Sequence, residues 1–446
     1  MNLKIKLLST VVVILCVLFS NLSIAQHELT AKEAVFIALE NNYQIEIANK
    51  QLLISEKNNT WSEAGLFPTV TLSAANGNTV QDNTDNPFTF TPGIILSQSI
   101  APSIGLNWNL FSGFAVRISK QRLEQLEEQS ANNSIAVIES TIQDVLKAYY
   151  TAQLQDSRRE LFQSVLSLSR KRFSYYELKE KYSNSNSLEL LQFKNQYLTD
   201  SANLLMQEIS YSNAIRNLGI VMNDTVYVKE GYSMVDKIDE VVADVKFETA
   251  QNDMIANNQN LKNQYISLEL QQSNTSLRRS FLYPVLSFQA GANPSWSRIR
   301  EIKDNTLDVQ TQNLTYYGNL NLSYTLFNNW KNKRAVEVSK IQEEIAELNI
   351  DNMKQTLSAS LQNLIELYSV RKQLVDISQE NMVYAEKAFQ LAEKRFEIGS
   401  INSIDLASFQ NNYQNIMIQH YENLFNKMDT FLEIYKMTGK IGLEYN

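Results

Sequence analysis

All six prolines of this 446-residue chain fall in two short windows, and that distribution limits the fold more than any other feature. Pro68, Pro87, Pro92 and Pro102 occupy the first window, Pro284 and Pro294 the second. Neither glycine nor proline occurs between Gly113 and Gly219, or between Gly318 and Gly399. Proline removes a helical hydrogen bond and clashes with the preceding turn, so such silent stretches are the places where long helices form. Their apolar residues agree. Ile135, Ile138, Ile142, Val145 and Tyr149 step by three and four, and so do Leu357, Leu361, Leu364 and Tyr368. This spacing makes a continuous seam of the coiled-coil type.

The proline windows read differently. From Ala64 to Val116 the only charged residues are Asp82 and Asp85, and from Phe281 to Trp330 all charges lie between Arg298 and Asp308. The uncharged flanks alternate: Val70, Leu72 and Ala74 against Thr69, Thr71 and Ser73, then Ile104, Leu106, Trp108 and Leu110 against Gly105, Asn107 and Asn109. Period-two alternation without charge over about ten residues is the mark of a transmembrane β-strand. Trp108, Phe111 and Phe114 close the first window, and Tyr324, Phe327 and Trp330 the second. Rings of this kind prefer the boundary between lipid and water.

The pattern occurs twice. Phe67-Pro68 reappears as Tyr283-Pro284 and Leu110-Phe111 as Leu326-Phe327, each 216 positions on. Leu188-Glu189-Leu190 likewise meets Ile404-Asp405-Leu406. The chain therefore divides into a signal peptide (1–25), repeat 1 (26–218, hairpin 66–111), an inter-repeat segment (219–246), repeat 2 (247–439, hairpin 282–327) and a tail (440–446). The signal reading rests on Lys4 and Lys6 before an apolar run ending in Ser23-Ile24-Ala25. The inter-repeat segment is expected to pack with the C-terminal segment.

Four strands cannot close a barrel, and an open sheet edge in lipid leaves backbone groups unpaired. The chain must therefore oligomerise. Two copies give about eight strands and a filled interior, three about twelve and room for a lumen.

Chemistry is sparse. The one cysteine, Cys16, lies within the signal region, and only His27 and His420 could serve as imidazole catalysts or ligands. No phosphate loop and no zinc-protease motif occurs, so the chain reads as a non-enzyme without cofactor or metal. A net charge of −8, falling to −10 without Lys4 and Lys6, argues against a nucleic-acid partner.

The doubled helix, hairpin and long-helix pattern, with "GLFPTVTLSA", "LNWNLFSGF" and "RFEIGSINSIDLASFQNNY", resembles the TolC family of outer-membrane efflux proteins from about Glu28 to Gly439. The resemblance implies an α+β membrane protein: a homotrimer whose 12-stranded β-barrel continues as a periplasmic helical barrel. It also implies a Gram-negative outer-membrane location, and as partners a periplasmic adaptor and an inner-membrane pump of RND or ABC type. It places the turn with Gly399, Ser400, Ile401, Asn402 and Ser403, and its first copy with Ser185 and Asn186, at the adaptor-contacting tip. Asp405, with Glu189 as its match in the repeat, becomes the channel gate. The first copy lacks the glycine, and Ser408 stands where many members carry a further acid. A soluble adaptor or scaffold is the competing reading; its hairpins would carry charge.

Overall fold

The computed structural model describes residues 27–89, 92–182, 187–224, 232–238, 245–303 and 307–442. The signal region, Ser185, Asn186 and much of the inter-repeat segment lie outside them. In chain order the elements are β1 (His27–Leu29), α1 (Ala31–Asn41), α2 (Tyr43–Asn58), β2 (Thr69–Asp82), β3 (Ile94–Ser112), α3 (Ala115–Tyr182) and α4 (Ser187–Met222). There follow β4 (Tyr232–Met234), α5 (Phe247–Asn257), α6 (Gln259–Ser280), β5 (Val285–Glu301), β6 (Asp308–Ser323), α7 (Lys331–Glu397) and α8 (Ser403–Met437). The described residues divide into two compact units, one falling within Met1–Asn49, Asn133–Leu261 and Met353–Asn446, the other within Lys50–Asn132 and Lys262–Asn352.

In the first unit the predicted seams are the cores. Ile142, Val145 and Tyr149 are fully buried in one cluster, and Leu361 and Tyr368 are buried in a second. Ile135 departs from its seam and is exposed. The Tyr149 hydroxyl donates to the Leu29 carbonyl at 2.8 Å and accepts from the Val235 and Asp236 amides at 3.1 Å each. The tyrosine thereby ties β1 to the residues that follow β4, and β1 and β4 pair in parallel. The inter-repeat segment thus pairs with the N-terminal strand, while Ile238 shares a cluster with Ile441 near the C-terminus. Thr30 starts α1 with a capping box to Glu33.

The second unit holds an antiparallel sheet in the order β2-β3-β5-β6. Its register aligns the alternating flanks into rows. Val70, Leu106 and Ala290 lie across from one another; so do Leu72, Ile104 and Ala292, and then Trp108, Phe288 and Leu320. One face is therefore apolar and bare, with Leu72 81% exposed. The opposite face carries the row Thr71, Gly105, Gly291 and Tyr317. Outer strands β2 and β6 have no further partner among the described residues.

The strands run 14 to 19 residues, longer than the expected ten, because the hairpin ladder continues beyond the uncharged flanks. Arg298, at that extended end, binds Asp308 bidentately at 2.9 and 2.6 Å. The two copies also end differently. β3 reaches Ser112 through a bulge at Leu110, which swings Phe111 onto the apolar face beside Leu286. β6 stops at Ser323, so Tyr324, Leu326 and Phe327 follow the strand rather than end it. The last stretch of β3 pairs with β5, Trp108 opposite Phe288 and Ser112 opposite Val285.

Candidate functional site

Glycine fixes the turn between α7 and α8. Gly399 has φ +73°, a left-handed conformation that costs other residues about 1–2 kcal/mol. The Ser400 amide donates to the Arg395 carbonyl at 2.8 Å and the Gly399 amide to Phe396 at 2.9 Å, a Schellman motif. Asn402 then caps α8, its side-chain oxygen accepting from the Ile404 and Asp405 amides at 2.9 Å. Asp405 completes a capping box by accepting from the Asn402 amide at 3.4 Å. The carboxylate thus has a local role at a helix N-terminus, where negative charge is favoured.

The structure brings Asp405 and Glu189 to one cleft of about 890 Å³, lined also by Lys171, Arg172, Lys179 and Tyr176. Burial, reinforced by the Glu189 charge, pushes the Tyr176 phenol up. Gly399, Ser400, Ile401 and Asn402 edge the same cleft. Ser403 is buried beside it and hydrogen-bonds Gln192 of α4.

Sequence reasoning missed the polar cluster beside this cleft. Arg172 of α3 donates to Glu393 of α7 at 2.8 Å and to Gln410 of α8 at 2.5 Å. Gln410 donates to Asp200 of α4 at 3.4 Å, and Gln196 donates to it at 2.9 Å. All four helices meet in this network. Asp200 is only 2% exposed, and burial raises its pKa against the hydrogen bonds from Ser169, Gln196 and Gln410 and the charge of Arg172. Burial lowers the Arg172 pKa, opposed by Glu393 and then Asp200. The available signal was the row Phe193, Asp200, Gln207, one heptad apart, which places an acid on the buried side of α4.

In the second unit, the six predicted interface aromatics gather where strand gives way to helix. The Trp108 indole donates to the Leu66 carbonyl at 2.8 Å, and Phe114, Tyr324, Phe327 and Trp330 are exposed. Gly113 and Phe114 both have positive φ (62° and 69°), as do Asn329 and Trp330 (56° and 60°). A side chain at Gly113 would meet the Ser280 carbonyl at 2.3 Å.

His420 is buried, with Nδ1 2.9 Å from the Ser378 hydroxyl. No group of three or more His, Cys, Asp or Glu among the described residues could hold a metal. No described helix is long and apolar enough to cross a membrane.

A bare apolar sheet face joined to long helical hairpins belongs to the outer-membrane channel class. The family model for outer membrane efflux proteins matches residues 35–223 and again 251–440, and the chain belongs to that family. The fold is shared with the Campylobacter jejuni CmeC outer membrane channel: 14% identity over 92% of this chain and 85% of that one, TM-score 0.72. It is shared also with a membrane protein from Pseudomonas aeruginosa (13%, 92% of each chain, 0.74). The open state of the Neisseria gonorrhoeae MtrE outer membrane channel is a third (16%, 92% and 88%, 0.68). Comparison with curated proteins finds no sequence match.

Proposed function

We propose that three copies of this chain form a passive exit duct in the outer membrane of a Gram-negative cell, serving a tripartite efflux or type I secretion system. The observation that carries this reading is the four-stranded sheet whose uncharged flanks form an exposed apolar face and whose outer strands have no further partner among the described residues. Lipid tolerates neither an open edge nor a lone sheet, so copies must complete a barrel, and three supply about twelve strands. The twofold family match and the recurring order of helix, hairpin and long helix pair support an internal duplication of residues 26–218 and 247–439.

The helical hairpins then extend into the periplasm, α3 for about 100 Å at about 1.5 Å per residue. The turn at Gly399–Ser403, with Ser185 and Asn186 at its counterpart, meets the adaptor of an RND or ABC pump. Asp405 and Glu189 form the acidic gate, and the aromatics from Trp108 to Trp330 border the lipid.

Purified protein in planar bilayers tests the reading. Wild type should conduct with a preference for cations that Asp405→Ala combined with Glu189→Ala reduces. A protein recovered from the soluble periplasmic fraction, without conductance, would instead be the adaptor or scaffold.

A further inference from the structure

Helix α4 buries one side and leaves the other bare. Phe193, Asp200 and Gln207 face its own bundle, whereas Leu191, Asn195, Leu198, Ala202, Leu205 and Ile209 are all exposed. These six step by four and three without a break, the spacing of a coiled-coil seam. Helix α7 carries a second such seam in Ile377, Asn381, Tyr384, Ala388, Leu391 and Arg395. There Ile377, Tyr384 and Leu391 are each at least 60% exposed. Among the described residues, neither seam is covered by the chain's own helices.

We propose that the α4 seam of one copy packs antiparallel against the α7 seam of the next, setting Ala202 opposite Leu391 and Leu205 opposite Ala388. The proposal rests on the ring reading above and specifies the faces that close it.

Three observations select a second copy as the occupant. The first is direction. α7 runs towards the Gly399 turn and α8 away from it, and they pair through Phe389 stacked on Tyr413 at 5.6 Å. α3 and α4 pair oppositely directed through Phe173 and Tyr197 at 5.7 Å. An α4–α7 contact between copies continues the same alternation.

The second observation is level. Arg172 binds Glu393 of α7 directly and reaches Asp200 of α4 through Gln410, so Asp200 and Glu393 share one level of the bundle. Copies related by an axis along the helices share it too. Two residues on from each, Ala202 meets Leu391. The three-four spacing then brings Leu205 to Ala388 and Ile209 to Tyr384.

The third is complementarity. Each alanine faces a leucine, so large and small alternate across the layers as a packed seam requires. In this register Glu208 flanks one seam beside Lys387 of the other, opposite charges at the interface edge. A twofold α4–α4 contact would leave the α7 seam in water. The head-to-tail contact covers both and closes into a ring.

Disulfide cross-linking in the full-length membrane protein tests this. Leu205→Cys with Ala388→Cys, and separately Ile209→Cys with Tyr384→Cys, should yield covalent dimers and then trimers on oxidation. The single variants should not, and Leu198→Cys with Ala388→Cys, one heptad away, should lag well behind. If native mass remains that of a trimer and neither pair cross-links, this interface is overturned. Efficient cross-linking of the Leu198 pair alone overturns the register. A monomer in detergent removes the ring reading as well.

Discussion

The ring of Phe114 stands edge-on to that of Phe111, 5.3 Å between centroids. Trp330 stands likewise to Phe327, at 5.8 Å. Both second rings sit on left-handed residues that turn the chain out of the sheet and into a long helix. Phe114 also stands edge-on to Tyr283 at 6.1 Å, so Phe114→Gly should keep this turn and lose both ring contacts, about 0.5–1.5 kcal/mol each. Phe114→Val should cost more, because a β-branched residue resists positive φ. Thermal melting in detergent orders the two variants; an equal loss would show that the backbone conformation is immaterial.

This corner shows where the sequence stops being readable. The offset of 216 positions, the seams through Tyr149 and Tyr368, and the uncharged flanks of the strands are all periodic, and periodicity survives in sequence. The left-handed corner is announced by Gly113 in one copy but held by Asn329 in the other, so no residue type marks it twice. The extension of β3 to Ser112 depends on pairing with β5 from the other half of the chain, which is not a local property. The cluster around Arg172 joins residues up to 238 positions apart, and each looks like an ordinary polar side chain on its own helix.

Gly291 lies where the sheet's polar face is tightest. A β-carbon there would stand 2.4 Å from the Ile104 carbonyl and 2.7 Å from the Tyr317 hydroxyl. Gly291→Val should therefore reduce assembled protein in the outer-membrane fraction, overpacking costing about 1–3 kcal/mol. Adding Tyr317→Ala should restore it only in part, since the backbone contact remains. Complete rescue would place the whole obstruction in the tyrosine.

The cluster at Asp200 makes stability depend on pH in a defined direction. Its folded pKa is raised, so the folded state holds the proton more tightly than the unfolded chain. Its contribution is fully present below the unfolded value of about 3.9 and is lost as pH rises through the folded value. Asp200→Asn mimics the protonated acid. Its melting temperature should gain on wild type as pH rises from about 4 to about 7. A difference that stays constant with pH would mean that Asp200 does not titrate in this range.

Removing the cation from the same cluster should be costly. Arg172→Ala leaves Glu393 and the buried Asp200 without their shared guanidinium, and such losses run to about 3–5 kcal/mol when buried. Glu393 is partly solvated, so the lower end is expected. Arg172→Ala with Asp200→Asn should recover part of the loss. Purely additive effects in that double-mutant cycle would separate the two residues.

The two roles open to Asp405, helix cap and gate, divide between neighbouring substitutions. Asn402→Ala removes the acceptor for the Ile404 and Asp405 amides and should cost about 1 kcal/mol while leaving the Asp405 charge in place. Asp405→Asn removes the charge and keeps a side chain that can still accept from the Asn402 amide. If the acid gates the duct, Asp405→Asn should lower cation preference in bilayer recordings and Asn402→Ala should not. Because Glu189 lines the same cleft, Glu189→Gln should deepen the effect of Asp405→Asn. If instead selectivity follows Asn402→Ala and is blind to Asp405→Asn, the carboxylate acts on helix geometry alone, and the gate must be sought among the other charged residues of the cleft.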